Sequence, residues 1–167
     1  MRFPLVAMLL LPMLAAGLCA QEKAAPDFTL PDLDGQNYSL ADNIGTGPIL
    51  INFWATWCIP CHAEMKALKP IYQKYAEQGL TILSISVDDT KTVNKVRGQV
   101  RSKRYPYTVL LDTNSEVFQL YQGTNPPHSV LIDYEGNIVY TSVGYRKGAE
   151  KKLEAEIARL IEAHEQG

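Results

Sequence analysis

An α/β domain with a mixed central sheet, helices on both faces and a β-hairpin in front of it is the fold class this sequence predicts. Three observations predict it. Apolar runs of strand length alternate with stretches of helical period in the order βαβαβαββα. Ile49, Leu50, Ile51 and Phe53 form a nearly continuous apolar run, as a strand covered on both faces would, which calls for helices on either side. The length of 167 residues suits one domain with a substantial core and is too short for two ordinary ones. A hydrophobic share of 46%, a charged share of 20% and a net charge of −2 place the chain among ordinary globular proteins and give no general attraction to nucleic acid.

The elements follow in order. In residues 1–20, Arg2 precedes an apolar run through Val6, Leu9, Leu10, Leu11 and Leu14, and Gly17-Leu18-Cys19-Ala20 leads into polar Gln21. That pattern predicts a secretory signal peptide cut after Ala20. Two other readings compete with it: lipid on Cys19, against which Leu18 is bulky, and a retained membrane tether, for which Pro4 and Pro12 make an awkward span. Residues 21–26 read as a disordered polar linker before a domain over 27–167. From Asp27 to Leu40, apolar residues alternate around Asp34-Gly35, which predicts a hairpin. After the strand at 49–53, the spacing of Met65, Leu68, Tyr72 and Tyr75 predicts a helix from Pro60 to about Glu77, stopped at Gly79. Residues 80–87 read as a strand. Asp88-Asp89-Thr90 reads as the cap of a helix that places Val93, Val96 and Val100 on one face. The opposite face holds Lys91, Lys95, Arg97, Arg101, Lys103 and Arg104, either a solvated surface or a docking patch for an acidic partner. A strand at 107–111, a short helix at 115–121, strands at 129–133 and 138–143 joined by Glu135-Gly136-Asn137, and a helix from Ala149 to about His164 complete the chain.

The chemistry concentrates at Cys58-Ile59-Pro60-Cys61, where a strand gives way to a helix. At a helix mouth the unpaired N–H groups and the positive dipole end favour a thiolate, which makes Cys58 a nucleophile. Cys61, one turn on, is placed to close a disulfide with it. A purely structural bridge is the competing reading, but closing a loop of about four residues gains only about 2 kcal/mol on the chain-entropy model. Pro60 fits a first-turn position because its missing N–H would have had no partner. Removal of residues 1–20 leaves only these two cysteines, in a compartment outside the cytoplasm where disulfides persist and a partner must supply or take electrons.

The run Trp54-Ala55-Thr56-Trp57-Cys58-Ile59-Pro60-Cys61, with Pro127 in a strand-entry loop, resembles the thioredoxin superfamily, and more narrowly its secreted TlpA-type thiol–disulfide oxidoreductases, including those serving cytochrome c maturation. The resemblance implies a thioredoxin-like fold and a protein-disulfide oxidoreductase in a periplasmic or otherwise extracytoplasmic space. It implies disulfide-bearing protein substrates, a membrane thiol electron donor and no cofactor. It also implies a cis bond before Pro127, packed against the cysteines. Where cytosolic relatives have a buried aspartate, this chain has Asn52; like the TlpA-type proteins it has a glutamate three residues after the second cysteine, Glu64. Residues 58, 61 and 64 share a helical face, so a buried Glu64 would have its pKa raised and suit removal of a proton from Cys61. The alternative is a surface glutamate, although no basic residue lies three or four away. Trp57, Ile59, Pro60, Pro126 and Pro127 form the expected substrate-contacting set, and Trp54 belongs to the core. Pro126 departs from the family pattern, since it has no N–H to offer a substrate backbone. Lys66 also departs, standing where many relatives have proline.

Three rivals remain at this level. Cys58-x-x-Cys61-His62 also spells a c-type haem attachment site. A copper or zinc carrier would need a fourth ligand beside Cys58, Cys61 and His62, for which His128 offers itself. The segment APDFTLPDLDG resembles the start of peroxiredoxins, whose peroxidatic cysteine follows a hydroxyl residue by three positions; Ala55 occupies that place here.

Overall fold

The computed structural model describes residues 23–167. The expected signal peptide and the first two linker residues lie outside the described residues. Eight strands and four helices follow: β1 (Lys23–Ala24), β2 (Thr29–Pro31), β3 (Asn37–Ser39), β4 (Ile49–Trp54), α1 (Ile59–Tyr75), β5 (Thr81–Ser86), α2 (Asn94–Lys103), β6 (Thr108–Leu111), α3 (Glu116–Leu120), β7 (His128–Ile132), β8 (Asn137–Val143) and α4 (Glu150–Glu165). Six strands make one sheet in the order β1-β8-β7-β4-β5-β6, and β2 with β3 forms a separate hairpin. β4, β5 and β6 run parallel, whereas β7 is antiparallel to β4, and β8 to β7. The mixed sheet expected from the residue pattern is therefore the one observed, in keeping with the thioredoxin-like fold that the resemblance implies.

All six residues of β4 are buried, because helices cover both faces of this central strand. Trp54 meets His62 of α1, and its neighbour Phe53, pointing the other way, meets Phe118 of α3. α4 joins α1 on the Trp54 side through Lys74 and Glu154. α1 continues through Pro70, which lies on the exposed side, and a 3-10 turn over Ala76–Gln78 follows it before Gly79 turns the chain at φ 96°. The hairpin turns at Gly35, with Asp32 Oδ1 accepting from the N–H groups of Asp34 and Gln36, and it buries Phe28, Leu30 and Leu40 against the domain.

Two expectations are corrected. The stretch 21–26 is not wholly a linker: Lys23 and Ala24 pair with Ile138 and Asn137 as an edge strand, and Ala25 N–H donates to Gly136. The open edge of β8 offers unpaired backbone groups, and two residues suffice to satisfy part of it. Asp88 is not a helix cap. Asp89 alone organises the approach to α2, accepting from the backbone of Lys91 and Thr92, and the helix starts later, at Asn94. Asp88 is instead fully buried and accepts from Thr56 in the loop that follows β4. Among the described residues no helix is long and apolar enough to cross a membrane.

Candidate active site

The cysteine pair sits where β4 ends. Cys58 caps α1: its backbone is extended, its sulfur accepts from Cys61 N–H at 3.3 Å, and Pro60 occupies the first turn. Cys58 and Cys61 are joined as a disulfide with Cα atoms 5.3 Å apart. Cys58 is 5% exposed and Cys61 fully buried, so of the two residues only the first keeps any contact with solvent. Trp57 and Ile59 flank it, 61% and 80% exposed, and Pro60 is exposed as well. Apolar side chains left in water at the rim of a redox pair are suited to contact another protein. Trp54, by contrast, is fully buried core.

The loop before β7 closes over the pair. The Pro126-Pro127 bond is cis, as the resemblance implies. It brings the Pro126 carbonyl oxygen within 3.5 Å of Cys58 Sγ, while Pro127 is buried and its carbonyl accepts from Gly144 N–H. Gly123 admits this loop past Phe118, whose ring occupies the space a side chain there would need.

Glu64 lies one turn below Cys61 and is buried. Asn52 Nδ2 donates to Glu64 Oε2 at 2.8 Å and to Ser129 Oγ at 3.0 Å, and Ser129 Oγ donates to Glu64 Oε1 at 3.1 Å. These contacts exist because Asn52 and Ser129 are register partners across β4 and β7. Burial pushes the Glu64 carboxyl from 4.5 up to about 7, with the hydrogen bonds from Ser129 and Asn52 opposing the rise. Asn52 Oδ1 is buried without a partner, so this polar cluster has an acceptor to spare. On its other side Glu64 borders a small cavity, about 10 Å³, also lined by Tyr145 and Glu150.

Ser129 and Asp88 escape sequence reasoning. A serine interrupting an otherwise apolar strand was the available sign for the first. Asp88 accepts from Thr56 N–H at 2.8 Å, from Thr56 Oγ1 at 2.5 Å and from Ser86 Oγ at 2.9 Å, and so ties the Trp-Cys loop to the end of β5. The Thr56 hydroxyl is thereby committed away from the cysteines. His128, offered as a fourth metal ligand, is register partner to Phe53 and packs against Phe53 and Phe118 on the face away from α1. His62 Nε2 meets Gln99. Among the described residues, no three His, Cys, Asp or Glu side chains cluster as a metal site.

Comparison with known proteins agrees with the fold. The model of the AhpC/TSA family matches residues 22–141. The chain is similar to the thiol-disulfide oxidoreductase ResA of Bacillus thuringiensis subsp. konkukian, 35% identical over 138 residues, 83% of this chain and 77% of the relative. ResA of Geobacillus kaustophilus is 32% identical over 133 residues, 78% and 75% of the two chains. Among solved structures, a putative thiol:disulfide interchange protein DsbE from Chlorobium tepidum superposes with a TM-score of 0.78 at 27% identity, covering 84% of this chain and 96% of that one. The chain belongs to the AhpC/TSA family and is a thioredoxin-like thiol–disulfide oxidoreductase.

Proposed function

We propose that the protein is an extracytoplasmic reductant of protein disulfides, in which Cys58 attacks, Cys61 resolves and Glu64 manages the proton. In the reduced protein the Cys58 thiolate attacks one sulfur of a substrate disulfide, forming a mixed disulfide and releasing the first substrate thiolate. Cys61 passes its proton to Glu64 and attacks Cys58 Sγ, which releases the second substrate thiolate and leaves the Cys58–Cys61 disulfide. The substrate gains two electrons and the protein loses two; a membrane thiol donor restores the dithiol. Trp57, Ile59 and Pro60 contact the substrate from the helix side, and the cis loop at Pro126 and Pro127 from the other. Because Pro126 has no N–H, its carbonyl carries the backbone contact alone.

The observation that carries the reading is Glu64: a buried carboxyl one turn below the inner sulfur, with a pKa of about 7, is matched to proton exchange near neutrality. Reduction rather than oxidation is favoured because Ile59-Pro60 puts no histidine between the cysteines to stabilise the thiolate from within the pair. Equilibration with glutathione is therefore expected to give a potential below about −180 mV. An extracytoplasmic location is supported by the apolar run in residues 1–20, with a membrane tether only if that segment is retained. The test is capture: a Cys61→Ala variant cannot resolve the mixed disulfide and should accumulate disulfide-bearing proteins on Cys58, released by dithiothreitol. A Cys58→Ala variant that captures equally well would reverse the two roles.

A further inference from the structure

Charge is segregated on this chain. From Thr90 to Leu111 there is no Asp or Glu, yet the same stretch carries Lys91, Lys95, Arg97, Arg101, Lys103 and Arg104, all exposed. α1 adds Lys66 and Lys69 beside them, so one flank holds half of the 16 Lys and Arg residues of a chain whose net charge is −2. Between the two helices lies a groove of about 450 Å³ lined by His62, Lys66, Lys69, Lys103 and Tyr105. Lys69 is held in place there, 5.3 Å over the Tyr105 ring and donating to the Lys103 carbonyl. Arg97 is paired with Asp34 and donates to the Leu33 carbonyl, and Lys91 lies in the field of Asp89. Among the described residues the other six form no ion pair with a carboxylate.

A merely solvated helix face would intersperse acids with these bases. Here α2 carries Lys95, Arg97, Arg101 and Lys103 and no acid, and among the described residues only Arg97 of these four pairs with a carboxylate, that of Asp34 in the hairpin. The flank also adjoins the redox tip: His62 directly follows Cys61, and the approach to α2 begins one residue after Asp88, which holds Thr56. We propose that this basic flank docks an acidic segment of the protein whose disulfide is reduced, and steers that disulfide onto Cys58. The inference rests on the redox reading of the cysteine pair and names the chemistry of its partner. Opposite potentials raise encounter rates and fix orientation, and salt weakens both effects.

The experiment uses two synthetic peptides that share one internal disulfide and differ only in a flank of glutamates or of lysines. At about 0.02 M salt the reduced protein should reduce the glutamate peptide roughly ten-fold faster, and the gap should close by about 0.5 M. Combining Lys95→Glu, Arg101→Glu and Lys103→Glu should abolish or invert the preference while reduction of the uncharged bis(2-hydroxyethyl) disulfide persists. Equal rates for the two peptides at low salt, or a preference that survives the triple reversal, would overturn the docking surface. So would equal peptide rates together with sedimentation of the protein on phosphatidylglycerol vesicles, which would assign the flank to lipid headgroups. Failure to reduce even the uncharged disulfide would overturn the redox reading beneath it.

Discussion

At the scale of single residues, Glu64 connects stability to chemistry. Its carboxyl ionises near 4.5 when unfolded and near 7 when folded, so the unfolded chain gives up its proton first as pH rises. The stability that protonated Glu64 contributes is complete below pH 4.5 and is lost as pH climbs through 7. Glu64→Gln, which keeps a neutral polar group against Asn52 and Ser129, should therefore stabilise the oxidised protein at pH 8 by on the order of 3 kcal/mol and leave it nearly unchanged at pH 4. Urea unfolding at the two pH values measures the difference. Ser129→Ala removes a bond that holds the pKa down, so the inflection in the rate of resolution by Cys61 should move to higher pH. Tyr145 and Glu150 face Glu64 across the small cavity, and an unchanged inflection would place the proton with one of them instead.

At the scale of elements, the loop between β4 and α1 is shaped from outside itself. Asp88, at the end of β5, receives the Thr56 backbone and hydroxyl as well as Ser86, and its truncation leaves those donors to find water in a half-buried place. Asp88→Ala should cost about 3 kcal/mol in thermal unfolding and slow disulfide reduction, because the loop that presents Trp57 and Cys58 loses its tie. The chain order Asp88-Asp89-Thr90 reads equally well as a helix cap, and local reading cannot tell the two apart. What separates them is that Asp88, two residues past β5, is buried against Thr56, whereas Asp89 is exposed. The same holds for Ser129: it reaches Glu64 because β7 aligns it with Asn52, and that register joins residues 77 apart in the chain. Cys58, Cys61 and Glu64 were legible because a single helix places them on one face. Their supporting shell was not, because it comes from three strands. β1 was missed for a related reason: a two-residue edge strand takes its identity from the strand it covers, with no pattern of its own.

At the scale of the whole molecule, the switch from strand to helical period was enough to predict the sheet and its helical layers, since burial enforces that pattern over long stretches. The redox pair then falls at the carboxyl end of the central strand, where open α/β sheets present their ligands. The redox roles depend on the two cysteines being unequal, Cys58 keeping a little contact with solvent and Cys61 keeping none. The most direct measurement is alkylation of the reduced protein by limiting iodoacetamide at pH 7, with the label located by mass spectrometry. Label on Cys58 well before Cys61 is the outcome this account predicts; Cys61 labelled first, with Cys58 inert, would contradict it.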